Sequence, residues 1–194
     1  MRDKMRLTDY LHKVMSCTYA LIDQENQIQK VVDILKESKQ NNKQIFLCGV
    51  GGSLGTATHF ACDLFKIGGI KAISLCDNVP LITALTNDNG WESIFVEQLK
   101  LLFKPGDVLI SFSVHGCSGA DKAGLWSQNI MKAIQYVKKH KGINIGFSGF
   151  DGGAMKKECD ICVVIPANST PLVESFHVVL HHYIAFELQK GDRK

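Results

Sequence analysis

The chain has 194 residues, 45% of them hydrophobic and 21% charged, with a net charge of +3. That length holds one α/β domain with a sizeable core and is too short for two of usual size, and the composition is neither fibrous nor disordered. The mixed charges leave no basic stripe for nucleic acid, and no apolar run nears the roughly 20 residues of a membrane span, so neither is an expected partner.

Residues 1–42 read as N-terminal helices and 43–194 as an α/β core, together one domain. The opening "MRDKMRLTDYLHKVM" lacks the continuous apolar segment of a signal peptide, so a cytoplasmic location is expected. Leu7, Tyr10, Leu11, Val14 and Met15 mark one helical stripe, and Ile28, Val31, Val32 and Leu35 a second. Stripes at this spacing are burial surfaces, against the core or another subunit. From Gln44 onward, short apolar β-rich runs alternate with helical stretches: "QIFLCGV", "KAISLCD", "DVLISFSV", "INIGFSG" and "ICVVIP". Five such runs predict a five-stranded parallel sheet between two helical layers, a three-layer flavodoxin-like or Rossmann-like sandwich. In such a sheet, ligands sit beyond the carboxyl ends of the strands.

The segment after the first run is Gly49-Val50-Gly51-Gly52-Ser53, followed by a helix expected from about Leu54 or Gly55 to Phe65. Glycines permit close backbone approach, and a helix start offers free N–H groups and a positive dipole end, so Gly51, Gly52 and Ser53 form a candidate anion site. The spacing fits neither a Walker loop nor the dinucleotide fingerprint. "SFSVHGCSG" after the third run repeats the theme with Ser113, His115 and Ser118, which can close around the same phosphate or serve only to satisfy turn amides. The seven cysteines are an odd number set in apolar runs, as in a reducing compartment. "CDIC", Cys159 to Cys162, opens a strand-like run and has no second pair, which favours a structural role over redox or zinc chemistry.

Taken in order, "GGS…HFA", "DNVPLITALTNDNGWESIF", "PGDVLISFS", "FSGFDGG" and "VESFHVVLHH" resemble the SIS (sugar isomerase) domain of bacterial phosphoheptose isomerases, from about Gln44 to Gln189. The resemblance implies a homotetramer with active sites between subunits that isomerises sedoheptulose 7-phosphate to D-glycero-D-manno-heptose 7-phosphate. It implies phosphate-binding roles for Ser53, Ser113 and Ser118, a substrate-binding role for Asp88, and catalytic roles for Asp63 and His182. It also implies a zinc set of His59, Asp63, Glu174 and His182, with Glu174 close to substrate.

The same residues have a physical reading. His59 and Asp63 are four apart and share a helix face, while Glu174 and His182 differ by about 80° around one helix and can look toward one cleft. Mixed nitrogen and oxygen donors suit zinc, with manganese or iron as alternatives. A carboxylate and a histidine on opposite walls suit proton transfer through an enediol. His177 and His181 lie on another side of the last helix and are expected in the core or an interface. Against the family pattern, Asp63 stands for a glutamate, Glu174 for a glutamine, Val50 for an asparagine and Val114-His115 for Thr-Ser. Gly119–Asn129 is longer than usual and carries Lys122 and Trp126. The competing readings are a non-catalytic SIS adaptor and a sugar-phosphate-binding sensor; the retained His182 favours an enzyme.

Overall fold

The computed structural model describes residues 6–117 and 127–189. The chain opens with α1 (Leu7–Leu21) and α2 (Glu25–Gln40), joined by a 3-10 turn at Ile22–Gln24. The α2 stripe goes inward, with Ile28, Val31, Val32 and Leu35 all buried. On α1, Leu7, Leu11 and Met15 are exposed, and the outward apolar line continues through Tyr19 and Ile22. Its buried residues are Cys17 and Leu21. Among the described residues, no helix is long and apolar enough to cross a membrane.

Five parallel strands, β1 (Ile45–Gly49), β2 (Ala72–Ser74), β3 (Val108–Phe112), β4 (Ile143–Ser148) and β5 (Ile161–Val164), lie in the order β2-β1-β3-β4-β5. Ile45 sits opposite both Ala72 and Val108, Val108 opposite Ile143, and Ile145 opposite Ile161. β1 and β3 are buried along their whole length because helices cover both faces, which is why their sequences run apolar without alternation. On one face Leu47, Ile110 and Phe147 meet α2, Phe60 and Leu64 of α3 (Gly52–Lys66), and Phe176 and Leu180 of α8 (Thr170–Gln189). On the other, Phe46 and Leu109 meet Leu99 of α5 (Val96–Leu102), Ile134 and Val137 of α6 (Gln128–Lys139), and Met155 of α7 (Met155–Glu158). The expected three-layer sandwich is the observed one.

Between β2 and α5 runs α4 (Val79–Asn89), which has no buried residue and whose start is capped by Asn78 accepting from the Leu81 N–H at 3.1 Å. A second 3-10 turn, Trp91–Ser93, follows it. At β5, the Gln24 side-chain amide donates to the Val164 carbonyl at 2.9 Å and accepts from the Val164 N–H at 3.4 Å. Every described cysteine is free. Cys159 and Cys162 crowd the space above Gly146, and burial pushes both thiols up, so they are protonated packing groups. The direction of the strand order reverses between β1 and β3, whose ends pair at Gly49 and Phe112, and the crevice beyond that point is where this topology places a ligand.

Candidate active site

Both loops predicted to hold an anion end at that crevice. Gly51 turns the chain out of β1 with φ +62°, a conformation that side chains disfavour, and α3 begins at once at Gly52. The helix therefore starts two to three residues earlier than the sequence suggested, because Gly52 and Ser53 adopt helical geometry in place of extending the loop. Its first-turn N–H groups have no partner within the helix. Ser113 follows β3, and its Oγ accepts from the Cys117 N–H at 3.0 Å while its carbonyl accepts from the Gly116 N–H at 3.0 Å. The His115 ring packs on Phe150 at 4.2 Å. Val50, Ser53, Ser113, Val114, His115 and Glu174 line one cavity of about 150 Å³.

A second cluster forms where α3 packs on α8. Asp63 Oδ2 lies 3.6 Å from His59 Nε2, 3.5 Å from His181 Nδ1 and 3.7 Å from His182 Nε2. One donor atom from each of the four lies within 4.8 Å of the other three. Asp63 and His181 are buried, while the side chains of His59 and His182 are 50% and 43% exposed, so the cluster is closed from the core and open on one side.

These distances are too long for hydrogen bonds. They approach the roughly 3.3–3.4 Å edge of a tetrahedron with ligand arms of about 2.0–2.1 Å. Among the described residues, Asp63 Oδ2 and both ring nitrogens of His181 are buried with no hydrogen-bond partner. Burial, and then the neighbouring imidazoles of His182, His59 and His177, push the His181 pKa down to about 3. A neutral imidazole is the ligating form. The donor set therefore fits a divalent metal ion.

Residues 9–121 match the family model described as "SIS domain". The chain belongs to the SIS-domain family. Within it, the chain is 35% identical over 162 residues to a phosphoheptose isomerase of Helicobacter hepaticus, covering 81% of this chain and 78% of that protein. It is 35% identical over 158 residues to phosphoheptose isomerase 2 of Campylobacter jejuni, covering 79% and 74%. A solved phosphoheptose isomerase from Neisseria gonorrhoeae superposes with a TM-score of 0.86 over 95% of this chain and 97% of that one, at 23% identity. One from Francisella tularensis gives 0.85 over 96% and 100%, at 22% identity. At such identities the superpositions speak for a common SIS fold.

In this SIS-domain chain, His59, Asp63 and His182 come together, as do Ser53, Ser113 and His115. Glu174 does not join the imidazoles. It lies eight residues before His182, about 12 Å along α8, with its carboxylate directly over Gly52, where a Cβ would collide with Oε1. The positive end of α3 favours a carboxylate there. Asp88, near the end of α4, is exposed, accepts from the Asn87 side chain at 2.7 Å and lines neither the cavity nor the cluster. Ser118, Lys122 and Trp126 lie outside the described residues.

Sequence reasoning missed His181 at the cluster. Adjacent helical residues diverge by about 100°, yet α8 packs so that His181 and His182 flank Asp63 from two sides, their rings 4.2 Å apart. The available signal was a histidine pair in the apolar middle of the helix, between Val178-Val179-Leu180 and Tyr183-Ile184, where a buried polar group needs a partner.

His177 is fully buried, its Nε2 3.3 Å from the Ser148 carbonyl, and burial pushes its pKa down to about 4. As pH falls below about 6.5 the unfolded chain takes up this proton first, so the stabilisation present at neutral pH is lost between about 6.5 and 4, by about 3 kcal/mol. The melting temperature of the metal-free wild type should fall more steeply over that window than that of His177→Gln, which keeps a donor for Ser148. Parallel slopes would show that His177 is not held neutral.

Proposed function

We propose that this chain is an aldose–ketose isomerase that interconverts sedoheptulose 7-phosphate and D-glycero-D-manno-heptose 7-phosphate through an enediol, with zinc as its metal. The observation that carries the reading is the placement of two sites along α8: the cavity lined by Ser53, Ser113, His115 and Glu174, and the acid and imidazole cluster at His182. Their offset of about 12 Å along the helix corresponds to about eight bond lengths of roughly 1.5 Å, the count from C1 to phosphorus in a heptose 7-phosphate. That separation suits a sugar whose phosphate is remote from its carbonyl. The name shared by the relatives supports the same substrate.

Substrate phosphate binds at the start of α3 with the Ser53 and Ser113 hydroxyls and His115, and Ser118 completes the phosphate contacts, while Asp88, exposed and away from both sites, is left without a substrate role within its own chain. Binding energy at that remote end positions the reacting carbons at the cluster. Asp63 and His182 share the proton transfers: a proton leaves C1 of the ketose, and one returns at C2 to give the aldose. All three imidazole contacts of Asp63 involve Oδ2, which leaves Oδ1 for proton transfer. His59, Asp63 and His182 would hold the zinc, which would polarise the carbonyl and hydroxyl oxygens of the substrate.

The chain acts as one domain, residues 1–42 supplying assembly helices and 43–194 the catalytic core. Exposed Leu7, Leu11 and Met15 on α1, and Val179, Tyr183 and Phe186 on α8, form the kind of apolar surface that a homotetramer covers. Free cysteines suit a cytoplasmic enzyme. The test is direct. Purified protein should interconvert the two heptose phosphates, lose that activity on exhaustive chelation and regain it with zinc. Saturable binding of sedoheptulose 7-phosphate with no aldose formed by the zinc-loaded protein would refute catalysis.

A further inference from the structure

We propose that His181, and not Glu174, completes the metal set of this chain, so that α3 and α8 of a single protomer supply three imidazoles and one carboxylate. The proposal refines the metal-dependent reading above and rests on the presence of a metal there.

Two buried atoms that would otherwise be stranded face each other: Asp63 Oδ2 and His181 Nδ1 lie 3.5 Å apart, and neither has a hydrogen-bond partner among the described residues. His59 and His182 are half-exposed and can turn to water, but His181 has no exposed surface. A group entering from the open side of the cluster would give the His181 Nδ1, the nitrogen that faces Asp63, the partner that buried polar groups in native proteins almost always have. His181 Nδ1 is also the atom closest to Asp63 Oδ2 of the three imidazole contacts, at 3.5 Å. The Glu174 carboxylate is engaged elsewhere, over Gly52 at the mouth of the anion cavity. Exchanging a carboxylate for an imidazole has a chemical consequence. One anionic ligand leaves a dication with a net positive charge, whereas two would neutralise it, and the more positive centre polarises a substrate oxygen more strongly.

The experiment compares wild type, His181→Leu and Glu174→Gln by zinc titration against a competing chelator, by the visible spectrum of the cobalt-loaded proteins, and by melting with and without metal. His181→Leu should bind zinc about 100-fold or more weakly and lose the intense visible bands of low-coordinate cobalt. Its metal-free form should melt at or above the metal-free wild type, because a buried unsatisfied ring has been removed, while zinc no longer raises its melting temperature. Glu174→Gln should keep its zinc affinity within about threefold and its cobalt spectrum unchanged. Wild-type zinc affinity in His181→Leu, or a 100-fold loss in Glu174→Gln, would overturn the assignment. So would a metal-free His181→Leu protein that melts well below the wild type, since the imidazole would then serve the core. Zinc binding that depends on His181 without any heptose phosphate turnover would support the ligand assignment and defeat only the isomerase reading.

Discussion

Asp63→Asn should lower kcat/KM for sedoheptulose 7-phosphate by about 10³-fold or more while leaving the metal-free protein as stable as the wild type or more so. The two effects have one origin. The carboxylate is nearly buried on α3 with three imidazoles at 3.5–3.7 Å and no hydrogen bond to its Oδ2. Without metal, a charge held that way costs folding free energy, and a neutral amide of the same shape removes the cost. In the proposed reaction the same charge would serve as a proton acceptor, a role typically worth 10²–10⁴-fold, and would contribute to metal affinity. Steady-state kinetics at saturating zinc, alongside thermal melts in chelator, separate the two effects. A variant within tenfold of wild-type kcat/KM would remove Asp63 from the chemistry, and a large drop in metal-free stability would show that its charge is paired in a way the geometry does not show.

Phe112→Ala should cost about 3–5 kcal/mol, the range for truncating a fully buried aromatic side chain. For a chain of this size, that lowers the melting temperature by about 6–20 °C. Phe112 is the last residue of β3, fully buried, stacked on Phe147 at 4.9 Å and set edge-on to Phe60 at 6.3 Å and His177 at 5.4 Å. It ties the sheet to both α3 and α8 and also lines the cavity beside Ser53 and Ser113. The truncation should thus raise KM for the phosphosugar as well as lower stability. Phe112→Leu fills most of the space and should lose much less of both. A melt of Phe112→Ala within 3 °C of wild type would mean that the aromatic stack is not a keystone of this interface.

The sheet was legible because strands covered on both faces must be apolar at every position, and "IFLCG" and "VLISF" are. The edge strand β2 was less so: only Ala72–Ser74 pairs regularly, although the Leu75 N–H still reaches the Leu47 carbonyl at 2.8 Å. His59 and Asp63 were legible because i, i+4 spacing on a helix is a local property. Glu174 and His181 were not, since what each touches depends on the depth and rotation at which α8 meets α3. Those quantities are set by Phe60, Phe176 and Leu180 packing together, and a periodicity does not encode them. The α1 stripe shows the same limit. Its spacing marks an apolar face, but Leu7 and Leu11 are exposed among the described residues, and spacing alone does not say on which side such a face is buried.

Gln24 carries a consequence for how molecules of this protein meet. A border strand with bare main-chain amides invites a neighbour to extend the ladder, the first step toward fibrous association. Here a side chain mimics a peptide unit and occupies both groups of Val164, so the chain itself caps the end of that border. Neighbours are thereby steered toward docking through helical surfaces, where contacts are specific and growth can close on itself.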